Sequence, residues 1–152
     1  FGMRVLYCNR RRVSPEAEAE LGASFRELDA LLGESDFVVL CVPLGPETRG
    51  LISRDRLRRM RPTAVLVNIS RGEVVEEAAL AEALAEGKIL AAGLDVYERE
   101  PQVHPALLAQ DSAVLMPHIG SATAEAREAM GRLAAENLLA VLEGREPPCP
   151  VN

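Results

Sequence analysis

One arginine, two carboxylates and one histidine follow apolar stretches of this chain. Arg71 comes after "TAVLVNIS", Asp95 and Glu100 after "LAAGL", and His118 after "SAVLMP". Together these types suit one chemistry. A guanidinium fork grips a carboxylate through two parallel bonds and is always charged. A histidine beside a carboxylate can hold and release a proton near neutral pH, and such a pair is a general acid for a carbonyl oxygen. An α-keto acid carries both of the groups these residues would meet, and a bound nicotinamide would deliver hydride to its carbon.

Each residue alone has a plainer use. A lone histidine is more often structural, and most arginines are solvated. "EREP" reads equally as a charged turn. Asp95, between Leu94 and Val96, reads equally as a structural hydrogen-bond acceptor, because burying it unpaired is costly. The second histidine, His104 in "VHPALL", is expected at the surface. Gly72, directly after Arg71, would let a ligand approach the backbone.

Position makes the set coherent. Short apolar runs alternate with amphipathic ones: "MRVLY", "DFVVLCV", "TAVLVNIS", "LAAGLDVY" and "SAVLMPHI" read as strands. Between them "SPEAEAELG" reads as a helix capped by Ser14, begun at Pro15 and stopped by Gly22. "FRELDALLGES", "SRDRLRRM" with Ser53 as cap, and "EEAALAEALAEGKI", with Leu80 and Leu84 on one face and Gly87 at its end, read as further helices. A long helix is expected over about 124–142, before the turn-rich "GREPPCPVN". Strands apolar on both faces and separated by helices indicate a parallel sheet covered on both sides, the doubly wound α/β class. Ligands bind such sheets beyond the carboxyl ends of the strands, which is where Arg71, Asp95, Glu100 and His118 fall.

Composition narrows the alternatives. The 152 residues suffice for a sizeable core, and 48% are hydrophobic, which argues against disorder. A net charge of −6 argues against a general nucleic-acid binder. No run is long enough to span a bilayer, and the first residues show no signal-peptide pattern. Cys8, Cys41 and Cys149 have no CxxC spacing, which favours reduced thiols in the cytoplasm over a disulfide frame or a zinc site. Cys8 and Cys41 lie in apolar runs and are expected as small buried hydrophobes. The charge run "RDRLRRMR" reads as an exposed helix face.

Doubly wound dinucleotide domains open with a strand, a Gly-rich turn and a helix. No GxGxxG occurs here, so the chain is expected to lack the first βα unit of such a domain. The stretch "YCNRRR" would then end the second strand of the unit. Sites specific for NAD place an acidic residue there, whereas NADP sites supply arginine for the 2′-phosphate. Asn9 stands about where the acid would be, Arg10 and Arg11 follow, and no aspartate or glutamate precedes Ser14. NADP is the expected cofactor, with NAD as the alternative. Arg10 and Arg11 are its expected phosphate ligands, and Arg12 is expected to be only solvated.

"VNISRGEVVEEAALAEAL", "GLDVYEREP", "PHIGSAT" and "DFVVLCVPLGPETRGLI" together resemble the D-isomer-specific 2-hydroxyacid dehydrogenases, over essentially the whole chain. "HIGSAT" and the ending "PPCPVN" are most similar to the glyoxylate/hydroxypyruvate reductase (glycerate dehydrogenase) branch. Glu100 stands where the similar formate dehydrogenases have glutamine, which argues against formate as substrate. The resemblance implies that Arg71 binds the substrate carboxylate, that Glu100 pairs with His118, and that His118 gives the proton in reduction and takes it in oxidation. It implies that Asp95 lies near the nicotinamide carboxamide, and that Pro43, Ile69, Ser70, Gly120 and Ser121 contact the cofactor. No metal site is expected. The family's chain is about twice as long. Residues 1–122 would be a partial dinucleotide-binding domain, and 123–152 a helix and tail returning to a substrate domain. A polypeptide of these residues alone would expose the neighbours of its first strand and the apolar face of its last helix, and is expected to be inactive. A homodimer is implied. Two other readings stay open: a relative with another substrate, of D-lactate or 3-phosphoglycerate type, and a cofactor-sensing scaffold similar to the corepressors that resemble this family.

Overall fold

In the computed structural model, which describes residues 2–150, short parallel strands form two sheets. β1 (Val5–Tyr7) pairs with β2 (Ala23–Phe25). β3 (Phe37–Leu40), β4 (Val65–Asn68), β5 (Ala91–Leu94) and β6 (Ala113–Leu115) lie side by side in chain order. Helices fill the connections: α1 (Pro15–Leu21), α2 (Leu28–Glu34), α3 (Arg54–Leu57), α4 (Glu77–Ala85) and α5 (Pro105–Leu108). Parallel neighbours require such crossovers, because a tight hairpin turns the chain antiparallel. The chain divides into two compact units, Phe1–His118 and Ile119–Asn152. The second contains α6 (Ala124–Leu142), whose cap is Thr123 accepting from the Ala126 N–H at 3.1 Å.

The local signals act as their chemistry dictates at α1. Ser14 Oγ accepts from the Ala17 N–H at 3.3 Å, Pro15 opens the helix, and Gly22 closes it at φ +59°. In α4, Leu80 and Leu84 are buried, within a core that includes Leu32, Ile52, Leu66, Val74, Ile89 and Leu107. The long helix runs over the residues expected of it.

Several expectations are corrected. "FRELDALLGES" is helical only from Leu28, because Phe25 belongs to β2, a three-residue strand too short to show a period. Ser53 stands at the cap position of α3 without a side-chain bond. The Glu76 carboxylate takes the Arg54 N–H instead, at 3.0 Å. The strands are not covered on both faces throughout: Phe37 and Val39 of β3 and Val114 of β6 are more than half exposed. Cys41, just past β3, is exposed too, and Cys8 is half-buried. The arginines of "RDRLRRMR" are exposed, save the half-buried Arg56, but paired: Arg54 with Glu82, Arg56 and Arg59 with Asp29, Arg58 with Asp55, and Arg61 with Asp36. Leu57 and Met60 of that run are buried. His104 is half-buried rather than exposed, and its Nδ1 caps α5 by accepting from the Ala106 N–H at 3.3 Å.

Candidate active site

β4 ends in a polar residue that is only 1% exposed, Asn68. Its amide is turned onto the next few residues. Nδ2 donates to the Arg71 carbonyl at 2.9 Å, and Oδ1 accepts from the Ser70 N–H at 3.1 Å and from Ser70 Oγ at 2.9 Å. Its carbonyl accepts from the Asp95 N–H at 3.0 Å, which ties the end of β5 to the same point. Arg71 leaves this turn in extended backbone, exposed, with Nη1 donating to the Ser70 carbonyl at 2.6 Å. The turn is thus folded around one amide, and the guanidinium stands at its outer side.

Gly72 comes next, and its lack of a side chain is spent on packing. A Cβ there would lie 1.8 Å from the Tyr97 carbonyl carbon and 2.3 Å from the Glu98 nitrogen. The approach foreseen for a ligand is made by the chain's own peptide.

The third segment carries the proton-handling pair. His118 Nδ1 lies 2.7 Å from Glu100 Oε2, and the other carboxylate oxygen accepts from the Tyr97 N–H at 3.1 Å. The hydrogen bond to His118 holds the Glu100 carboxyl below its ordinary value. Partial burial opposes this, and the Tyr97 N–H and the charges of His118 and Arg71 add to it. Glu100 is therefore an anion at neutral pH. It engages Nδ1 and leaves Nε2 for a substrate oxygen. His118 has φ +53°, a left-handed conformation costly for a residue with a Cβ and a frequent mark of functional positions. The peptide Glu100–Pro101 is cis.

A second carboxylate fixes the loop between β5 and Glu100. Glu77, 5% exposed at the start of α4, accepts from the Glu98 N–H at 2.6 Å, and Glu98 Oε1 accepts from the Glu77 N–H at 3.1 Å. Burial raises the Glu77 carboxyl above its ordinary value.

The remaining candidates divide. Asn9, Arg10 and Arg11 are exposed just past β1, and neither arginine makes a hydrogen bond or ion pair among the described residues. Arg12 is not merely solvated. It forms a two-pronged pair with Glu18 at 2.7 and 2.8 Å and lies 5.8 Å from the Phe25 ring centroid. Tyr7 joins the same carboxylate at 2.7 Å, and Glu18 is held down to about 2. Pro43 is exposed past β3, and Ile69 past β4 is 55% exposed. Ser70 is buried, with its hydroxyl turned to Asn68, and Asp95 is half-buried. Gly120 and Ser121 are exposed in the second unit. A cavity of about 380 Å³ lined by Arg49, Glu73, Glu76, Glu98 and Arg99 includes neither Glu100 nor His118. Among the described residues no cluster of side chains could hold a metal ion, and no helix is long and apolar enough to cross a membrane.

Sequence reasoning missed Asn68, Tyr97 and Glu77. Two had a visible signal: Asn68 is an amide closing an apolar strand, and Glu77 shares the buried face of Leu80 and Leu84 at helical spacing.

The sequence profile of the D-isomer specific 2-hydroxyacid dehydrogenase NAD binding domain matches residues 1–120. A glyoxylate reductase of Thermococcus onnurineus is 58% identical over 152 residues, which is 100% of this chain and 45% of that protein. A glyoxylate/hydroxypyruvate reductase B of Serratia proteamaculans is 52% identical over 95% of this chain and 44% of its own length. Among solved structures, an NADPH-dependent glyoxylate/hydroxypyruvate reductase of Sinorhizobium meliloti, in complex with NADP and malonate, superposes with a TM-score of 0.91. It is 36% identical over 99% of this chain and 46% of that one. The chain thus spans less than half the length of the relatives it matches.

Proposed function

The chain belongs to the D-isomer-specific 2-hydroxyacid dehydrogenases, as part of their NAD-binding domain, and on that premise we propose that the whole protein reduces a small 2-keto acid to a D-2-hydroxy acid. Glyoxylate and hydroxypyruvate, giving glycolate and D-glycerate, are the substrates proposed. The relatives named for these substrates support that choice. The observation that carries the reaction class is the 2.7 Å contact of Glu100 with His118, on a loop braced against Gly72 beside Arg71.

The residues fit a dinucleotide. Arg10 and Arg11 offer exposed guanidinium groups past the end of β1, and Ile69 offers an exposed apolar side chain past the end of β4. Asn9, Pro43, Ser70 and Asp95 would add contacts from the first unit, Ser70 through its backbone, and Gly120 and Ser121 are proposed as contacts on the family resemblance alone. When bound, the nicotinamide supplies the hydride. Arg71 grips the substrate carboxylate and polarises the neighbouring carbonyl. His118 would give the Nε2 proton to the carbonyl oxygen and recover it from solvent. Glu100 orients the ring through its bond to Nδ1.

NADP is the proposed cofactor, because among the described residues Arg10 and Arg11 have no partner and could meet a 2′-phosphate, whereas Arg12 is committed to Glu18. Residues 123–152 are proposed to return to the substrate domain. A homodimer and a cytoplasmic location belong to the same proposal, and three unpaired thiols support the second. Steady-state kinetics of the full-length protein with glyoxylate and hydroxypyruvate, using NADPH and NADH, test this reading. Arg10→Ala is expected to raise KM for NADPH by about 10-fold, as loss of one charge-assisted bond does, and to leave KM for NADH nearly unchanged. A preference for NADH that Arg10→Ala does not alter refutes the NADP assignment, and absence of turnover on any 2-keto acid refutes the reaction.

A further inference from the structure

Both members of the proton-handling pair are tied to one residue that takes no part in the chemistry. The Tyr97 backbone N–H donates to Glu100 Oε1 at 3.1 Å. Its hydroxyl reaches the Met116 carbonyl at 2.8 Å and the Leu94 carbonyl at 3.2 Å. The tie to Met116 matters because His118 lies only two residues further along the chain. β6 ends at Leu115, and the Met116 N–H makes the last ladder bond, to the Leu94 carbonyl at 2.8 Å. Pro117 has no N–H to donate, and His118 then takes φ +53°. The hydroxyl is thus the last bond to hold the chain before the histidine. Tyr97 is 6% exposed, so its position is fixed by packing, and its peptide also closes onto Gly72 next to Arg71.

We propose that Tyr97 is the positioning residue of the Glu100–His118 pair, holding the carboxylate with its backbone and the segment leading to the imidazole with its hydroxyl. This rests on the reaction proposed above. Removing the hydroxyl leaves the Glu100 bond intact and releases the Met116 carbonyl. Because rotation at Pro117 then moves the ring, the proton donor loses alignment with the substrate oxygen while Arg71 and the cofactor contacts stay in place. The charged and titratable groups that act on Glu100 are His118, and Arg71 from the β4 turn; those that act on the Tyr97 hydroxyl are Asp95 and Glu100 from the β5 loop and Glu77 from α4. None of them is altered by the change.

The test is Tyr97→Phe in the full-length protein, which keeps the ring and its packing. The expected result is a kcat for keto-acid reduction lowered by about 10-fold with KM for substrate and cofactor little changed, since only alignment of the general acid is lost. The solvent deuterium isotope effect on kcat is expected to rise, because proton transfer becomes slower relative to the other steps. Hydrogen exchange of the peptide covering 116–120 is expected to quicken while that of β4 and β5 does not. A fall in melting temperature with an unchanged isotope effect and unchanged exchange at 116–120 would make Tyr97 a packing residue only and overturn the proposal, as would an unchanged kcat. Failure of the underlying reading is separate: wild-type protein would then turn over no 2-keto acid, or His118→Asn would leave the rate unaltered.

Discussion

Replacing His118 by asparagine in the full-length protein is expected to lower kcat for the proposed reduction of glyoxylate by about 10³-fold, the usual worth of a positioned general acid. Asparagine keeps a polar group of similar reach but has no proton to give, so the alkoxide forming on the substrate must take one from water. Binding is expected to survive, because the carboxylate grip is proposed for Arg71 and the adenosine end of the cofactor for Arg10 and Arg11. KM for both substrates therefore stays within a few-fold, which marks an interaction made in the transition state alone. Glu100→Gln is expected to cost less, about 10²-fold. Glutamine can still accept from the Tyr97 N–H and reach Nδ1, but it carries no negative charge to set beside the ring. Steady-state rates with saturating cofactor decide the matter. A His118→Asn protein that keeps more than roughly a tenth of wild-type turnover would remove histidine from the chemistry.

The second large effect is structural in origin. Gly72→Ala is expected to destabilise the protein by about 3 kcal/mol or more, because the new Cβ meets backbone and cannot be accommodated by a turning side chain. The nearest atom would be 1.8 Å away, in the peptide of the residue that braces Glu100. Relief requires the β4 turn to part from the β5 loop, which displaces Arg71 from Glu100 and His118. Stability and kcat/KM should fall together, with the melting temperature lower by roughly 5–10 °C. Gly131→Ala is the control. It lies within α6, where a Cβ meets nothing within 4 Å, and alanine there is expected to be neutral or to stabilise by up to about 1 kcal/mol. Thermal unfolding of both variants, read alongside activity, checks the pair. An active Gly72→Ala protein of normal stability would show that the two loops are not mutually braced.

The range of each interaction decides whether it can be read from the chain. α1 and α6 were legible because caps and helical periods are local: Ser14 with Gly22, and an unbroken run from Ala124 to Leu142. Arg71, Glu100 and His118 were legible because each stands beyond the end of an apolar run, and strand ends point to one edge of a parallel sheet. β2 was not legible, since three residues show no period and their pairing with β1 is made across a helix. The cap of α3 was misread because Glu76, more than twenty residues away, outcompetes Ser53 for the Arg54 N–H. Arg12 was misread because its partner Glu18 and the Phe25 ring lie beyond the loop. Tyr97 gave no signal, since a hydroxyl's partner depends on which strand lies alongside.

β3 also bears on solubility. Residues 37–42, "FVVLCV", are uncharged and rich in β-branched and aromatic types, the composition from which cross-β stacks are built. The strand has β4 on one side only, and Phe37 and Val39 are exposed. Asp36 and Pro43 flank the window as gatekeepers, but Asp36 is engaged by Arg61 at 2.9 Å and loses part of its repulsion there. The outer edge of β3 is therefore one place where the chain can stack on copies of itself. A neighbour laid along that edge serves colloidal stability as much as architecture.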